Sequence, residues 1–459
     1  MSAHASGKKE DRPRGCRIAQ YVHGTTERDY PPHVIKAAKY ALIDFVGVAV
    51  GAYDDEPVRP VRQLVASWNA EGRAQVFMGG RTSPAFAVLV NGTMGHAMDF
   101  DDAHTMGAGH ISVPCGSTAF AYASHLGFSE MDTLKAFITG FEVTARLGGG
   151  GESGVGRNLP RTGFHPTGVL CRFGAAAVAG ALLKLTESQI EHAMGIAATT
   201  AAGLLGSFGT HSKPLHAGKG AMDGIMSAEL AARGFEAATD LLEIGNGGML
   251  DALIQDRNAI VPPLDFENWE ILRNGYKPFA SGRASHAVAQ AACDLAERVK
   301  GRTIAKVRAK VHTNAGLTMG NAQPRTPLEG KFSVAFCIAL GLRGYKLAAT
   351  DFSEATMRDH SVMGLLPLID VEVVASQAAH EAHLEVTLDD GAVHHADTSM
   401  VLGHPSNPMS PENFQAKFHG LVDPVIGAAN ARRLFNALEN FEQPGRMQEI
   451  VGLLGEKRK

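Results

Sequence analysis

The chain has 459 residues, 45% hydrophobic and 20% charged, with a formal net charge of −4. That length supports two or more domains around a sizeable core, and the lack of a basic surplus or of basic runs interleaved with aromatics argues against a nucleic-acid partner. Five scattered cysteines (Cys16, Cys115, Cys171, Cys293, Cys337) contain no Cys-x-x-Cys, which suits free thiols in a reducing compartment.

Residues 1–16 read as a flexible leader: they hold no apolar core for a signal peptide, and Glu10 and Asp11 interrupt the basic character of a mitochondrial presequence. The longest apolar stretch, between residues 172 and 184, is too short to span a bilayer. The expectation is a cytoplasmic protein without membrane contact.

From about Pro32 to Gly234 the text reads as helix. Pro31-Pro32 opens HVIKAAKYALIDFVGVAV, with proline at the first turn. Ser83, as a cap, and Pro84 open AFAVLVNGTMGHAM. Pro114 opens a third helix that Gly127 closes. MDTLKAFITGFEVTARLG, VLCRFGAAAVAGALLKL and AMDGIMSAELAARGF follow, the last ended by Gly234. Abundant Ala and Gly predict closely approaching backbones. GGGGESG (148–154) contains G-x-G-x-x-G, but a helix precedes it rather than a strand, so it lacks the dinucleotide-binding context.

After about Arg273 the texture changes. AKVRAKVHT (305–313), IDVEVVA (369–375) and AHLEVTLDDGAVHHADTSM (382–400) alternate with period two, and Asp390-Gly391 marks a hairpin. The helix ASHAVAQAACDLAERVKG precedes them. The predicted fold is mainly α: a large all-helical domain over 17–270, a smaller α+β lid domain over 271–405, and a helical tail, 406–459, packing back on the first domain.

The chemistry concentrates in NGTMGHAMDFDDAHTMGAGH (91–110). A helix continuing to Asp99 puts His96 and Asp99 on one face. His110 follows Gly107 and Gly109 just ahead of the Pro114 helix, where a substrate carboxylate is favoured. Against this stands the plain reading that Asp101 and Asp102 solvate a turn and His104 is exposed. A carboxylate-rich metal site is a third reading, although no Cys/His cluster has zinc spacing. RTGFHPTG (161–168) places His165 ahead of another helix. In GTHSKPLHAGKGAMDG (209–224), Pro214 biases Lys213 toward an extended conformation. YKPFASGRASH (276–286) puts Lys277, Arg283 and His286 at the seam between the domains. Four loop-to-helix junctions thus each carry His or Lys beside Gly or Pro, a pattern that delivers cations and proton carriers to one pocket.

The blocks NGTMGHAMDFDDAH, GFHPTG, SKPLHAGKGAMDGIMSAELAARGF, YKPFASGRASHA and PRTPLEGKFS (324–333), in this order over nearly the whole chain, resemble the MmgE/PrpD family. The resemblance implies a helical domain with an α+β lid, a homodimer, and action on a small di- or tricarboxylate substrate without metal or organic cofactor. It places the active-site residues on Asp99, His110, His165, Lys213 and Lys277. The family's reactions all develop negative charge on a carbon beside a carboxylate, which calls for cations where charge appears and for an acid and a base within reach. Lys213 and Lys277 suit the first task, His110 and His165 the second, and Asp99 orients a partner.

The leading expectation is a cofactor-independent hydro-lyase resembling 2-methylcitrate dehydratase. The alternatives are an epimerase of the iminodisuccinate type, a decarboxylase of the cis-aconitate type, and a non-catalytic carboxylate-binding homologue. The chain departs from the family's pattern at Ala103, where a small hydroxyl residue is usual, at Phe336, often tyrosine, and at Gly282, often Cys or His. Ala103 and Phe336 are expected to face the substrate and retune its choice, with Arg283 and His286 as further substrate-binding residues.

Overall fold

The structure, a computed structural model, describes residues 12–149, 154–245, 247–256, 261 and 264–455. Most of the expected leader, residues 1–11, and the centre of GGGGESG, residues 150–153, lie outside the described residues; the first helix, Arg14–His23, begins inside the stretch read as leader.

Five long helices form the heart of the molecule: Pro84–Ala97, Ser112–Leu126, Glu130–Gly148, Pro166–Leu182 and Ser212–Ala232. Pro84–Ala97 and Pro166–Leu182 are apolar and buried nearly all round, as central helices are. Ser212–Ala232 packs against both. Small residues permit this closeness: a Cβ on Gly92 would lie 2.6 Å from the Cα of Gly218 on the facing helix. Any side chain there would drive the two helices apart, and with them the loops at their ends.

The proline-marked starts hold, with two adjustments. Ser83 occupies the cap position of Pro84–Ala97 but its side chain caps nothing. The helix expected to open at Pro114 begins at Ser112, with Pro114 in its first turn; Gly127 closes it at φ +78°.

The lid is built on a four-stranded sheet in the order Ile369–Val374, Ile304–His312, Ala382–Leu388, Val393–Thr398. The first two strands are parallel and the other pairings antiparallel. The parallel pair needs a crossover, and the intervening chain supplies it with the helices Thr313–Met319 and Val334–Leu342. The apolar residues of Ile304–His312 and Ala382–Leu388 face inward, where helix His286–Val299 covers them. Gly391 turns the last hairpin at φ +85°.

The tail helices Pro411–Ile426 and Ala428–Glu439 return to Pro32–Gly51 in the helical part. The Phe418 ring lies so near Gly47 that a Cβ there would stand 2.8 Å away. A two-residue strand, Ala103–His104, pairs antiparallel with Asn274–Gly275 and ties the acidic loop to the segment that leads into the lid. No helix among the described residues is long and apolar enough to cross a membrane.

Candidate active site

A cavity of about 200 Å³ opens where the helical part meets the lid. Asp99, His110, His165 and Lys213 line it from one side; Gly282, Arg283, Met319 and His404 line it from the other. The four loop-to-helix junctions of the sequence converge here.

The acidic loop is shaped by a break. Helix Pro84–Ala97 stops two residues short of Asp99, which takes φ +51°. Asp99 therefore does not share a helical face with His96, as the sequence suggested. Aspartate tolerates the left-handed region better than most residues, and the turn aims two carbonyls and one carboxylate at three lysines. Lys213 pairs with Asp99 Oδ1. Lys277 Nζ lies 3.2 Å from Oδ2 and donates to the Asp99 carbonyl at 2.8 Å. Lys331 Nζ donates to the Met98 carbonyl at 2.7 Å. Burial alone would raise the Asp99 pKa, but Lys213 and Lys277 outweigh it and hold the carboxyl well below its usual range. Burial lowers Lys277, with Asp99 opposing, and lowers Lys331 to about 8. Three amines thus gather at one turn, with Asp101 and Asp55 also acting on Lys277 and Lys331 respectively.

Lys213 reaches this position from inside a helix. Pro214 does not extend it: Ser212–Ala232 starts one residue earlier, and proline fits a first turn because its missing N–H has no helical partner there.

Imidazoles cluster beside Asp99 and Lys213. His96 Nδ1 lies 2.8 Å from Asp101 Oδ2, and His110 Nδ1 lies 3.1 Å from the same oxygen. His165 stacks on His96 with ring centres 5.7 Å apart, and its Nδ1 is 3.1 Å from His216 Nδ1. Burial, reinforced by Lys213, holds His165 well below its usual pKa; burial brings His96 to about 3 and His216 to about 4. These three rings are neutral at physiological pH. Burial would raise Asp101, but His110 and His96 hold it low. His104 is not exposed: its Nε2 sits 3.0 Å from Glu270 Oε2, and Arg146 holds Glu270 at 2.8 Å.

The next carboxylate, Asp102, faces away from the lysines. It accepts from Ser112 Oγ and Asn274 Nδ2. Its N–H donates to Asp44 Oδ2 at 2.8 Å, and Lys417 of the tail holds Asp44 Oδ1 at 2.6 Å. Burial and the neighbouring Asp44 push Asp102 up to about 8. Asp101 and Asp102 are fully buried, so the reading of a solvated turn does not hold.

The structure brings Asp99, His110, His165 and Lys213 to one cavity, with Lys277 beneath Asp99 and Ala103 and Arg283 in the lining. It does not bring Phe336 or His286 there. Phe336 is in the core against Phe352 and Gly330, because its helix, Val334–Leu342, is apolar on every side. His286 is buried with Nε2 3.1 Å from the Ser281 carbonyl and its ring against Phe279. The sequence reading passed over Lys331 and His216, although both lie in the blocks GKFS and SKPLHAGKG; nothing local distinguishes them from surface residues.

His96, Asp99 and His110 offer ligand atoms within 4.8 Å of one another, a histidine pairing that the sequence did not show. A divalent cation there would face the ammonium groups of Lys213 and Lys277 across the same carboxylate. The donor set therefore fits an anion beside Asp99 better than a metal.

The MmgE/PrpD N-terminal domain matches residues 16–260 and the MmgE/PrpD C-terminal domain residues 279–443. The chain is similar to cis-aconitate decarboxylase of Mus musculus, 25% identical across 93% of this chain and 90% of the relative. The Homo sapiens enzyme of that name is 26% identical across 93% and 91%, and the one from Aspergillus terreus 27% across 73% of each. The chain belongs to the MmgE/PrpD family.

Proposed function

We propose that the protein is a cofactor-independent lyase of a small tricarboxylate and that it removes CO₂ from a substrate of the cis-aconitate type. The observation that carries this reading is the cluster at the cavity: Asp99 and Lys213 in its lining with the amines of Lys277 and Lys331 behind them, and neutral His165 with Asp101-bound His110 beside them. Such a site receives an anion and stabilises charge that develops beside a carboxylate. The relatives named for cis-aconitate decarboxylation support the choice of reaction.

In that reaction the carbon–carboxylate bond breaks and CO₂ departs. The electron pair passes into the adjoining alkene and carboxylate, where Lys213 neutralises it. A proton then closes the valence at carbon. His110 is placed to deliver it, because Asp101 compensates the charge of its ring in the protonated form.

Dehydration of a hydroxylated tricarboxylate is the second reading, and one observation favours it: His165 is held neutral and is therefore ready to take a proton from carbon. Proton NMR in deuterated water, with cis-aconitate, 2-methylcitrate and citrate offered separately, separates the two. Loss of cis-aconitate with deuterium at one carbon of the product supports decarboxylation. New alkene signals from 2-methylcitrate support dehydration. Deuterium exchange without net conversion contradicts both and indicates an isomerase.

A further inference from the structure

The cavity has a second charged end. Arg283 stands in its lining on the lid side, and Arg157, His380 and His404 share that rim. Arg283 forms no ion pair or hydrogen bond among the described residues, and its Nη1 is buried without a partner. The groups that act electrostatically on Arg283, or on which it acts, are Arg157, His286 and His404, all basic. Arg283 is half-buried, and a guanidinium nitrogen seldom lies buried without an acceptor; burial and Arg157 lower its pKa to about 10. Arg157 is engaged, reaching the Thr105 carbonyl at 3.4 Å. Arg283 borders the cavity together with Gly282 and Ala284, whose small size leaves the cavity wall open beside it; Gly282 itself has no space for a side chain, since a Cβ would come within 2.8 Å of the Met319 sulfur.

We infer that Arg283 is the anchor of a second carboxylate subsite, which grips the far carboxylate of the substrate from the lid while the reacting end lies at Lys213 and His165. The inference rests on the proposed carboxylate-lyase reading but concerns binding, not turnover. It makes Arg283 a specificity-determining residue: substrates with carboxylates at both ends bridge the helical part and the lid, and a monocarboxylate occupies only the Lys213 end. A planar guanidinium binds a carboxylate through two parallel hydrogen bonds, and an ammonium in its place keeps charge without that geometry.

The test is calorimetric titration of the full chain and of Arg283→Gln and Arg283→Lys with tricarballylate, a saturated tricarboxylate that cannot react, and with crotonate, a monocarboxylate. Arg283→Gln is expected to weaken tricarballylate about tenfold or more, the effect of one charged hydrogen-bond pair, and to leave crotonate unchanged. Arg283→Lys is expected to fall between. Circular dichroism checks that each variant is folded. Equal tricarballylate affinity in folded Arg283→Gln and parent overturns the subsite, as does an equal loss for both ligands or a parent that does not bind tricarballylate. If the parent turns over none of the candidate substrates yet tricarballylate binding depends on Arg283, the lyase reading fails and the subsite stands.

Discussion

Asp99 and Asp102 lie three residues apart on one loop, both buried, and their surroundings set them to opposite states. Asp99 faces Lys213 and Lys277 and stays ionised far below its usual range. Asp102 faces Asp44 and two neutral donors and holds a proton up to about pH 8. Residue type and burial are the same, so the partners decide the role. Asp99 borders the cavity and holds the amines of Lys213 and Lys277. Asp102 ties the loop to Ser112, Asn274 and, through Asp44, to Lys417 of the tail.

The largest effect is expected at the ionised end. Asp99→Ala leaves two buried ammonium groups without their carboxylate, which costs about 3–5 kcal/mol of stability and is expected to abolish turnover; thermal unfolding and steady-state rates measure both. His165→Ala is expected to lower kcat by about 10²–10⁴-fold with a normal melting curve, since the ring's neighbours, His96, His216 and Phe208, keep their own packing.

Acid separates the two carboxylates' surroundings as well. His96 takes up a proton near pH 6.5 when unfolded and only near pH 3 when folded. Between those values the unfolded chain binds more protons, so stability falls as pH falls; at pH 5 His96 alone accounts for on the order of 2 kcal/mol. Asp102 acts in the opposite sense. Its folded pKa is raised, so between about pH 4 and 8 the unfolded chain binds fewer protons and stability falls as pH rises. Melting temperatures at successive pH values should therefore drop on both sides of a maximum, and Asp102→Asn should flatten the alkaline side.

Smaller effects are expected away from the cavity. Phe336→Tyr buries a hydroxyl against Phe352, costs about 1–3 kcal/mol and should not alter the ratio of kcat/KM between substrates; a shifted ratio would place the residue nearer the substrate than the structure does. Ala103→Thr, in the lining, is the variant expected to move that ratio. The smallest effect on the reaction is Asp102→Asn at pH 7, where the native side chain already carries a proton: the barrier to turnover should stay within about 1 kcal/mol of the parent.

Much of this was legible in the sequence because punctuation carries local meaning. Prolines in first turns located the starts of Pro32–Gly51 and Pro84–Ala97, and Asp390-Gly391 marked the hairpin. The converging junctions of His110, His165 and Lys213 were readable for the same reason. What was not legible is decided by distant partners. The left-handed turn at Asp99 is held by lysines 114 and 178 residues away, so the helix could not be seen to stop at Ala97. Lys331 and His216 acquire their positions only through the packing of the α+β part and of Ser212–Ala232 against the loop. Phe336 lay next to a recognisable block, but proximity in sequence did not carry it to the cavity, because its helix is buried on every side. The parallel pairing of Ile304–His312 with Ile369–Val374 is likewise non-local.

The most direct test of the central claim, that Lys213 beside ionised Asp99 is where charge develops in the reaction, is CO₂ release from cis-aconitate by the chelator-treated parent and by Lys213→Ala. The account predicts one CO₂ per substrate consumed in the parent, unchanged by exhaustive chelation, and none from a folded Lys213→Ala. Equal release from the variant, or activity that chelation abolishes and a divalent metal restores, would contradict it.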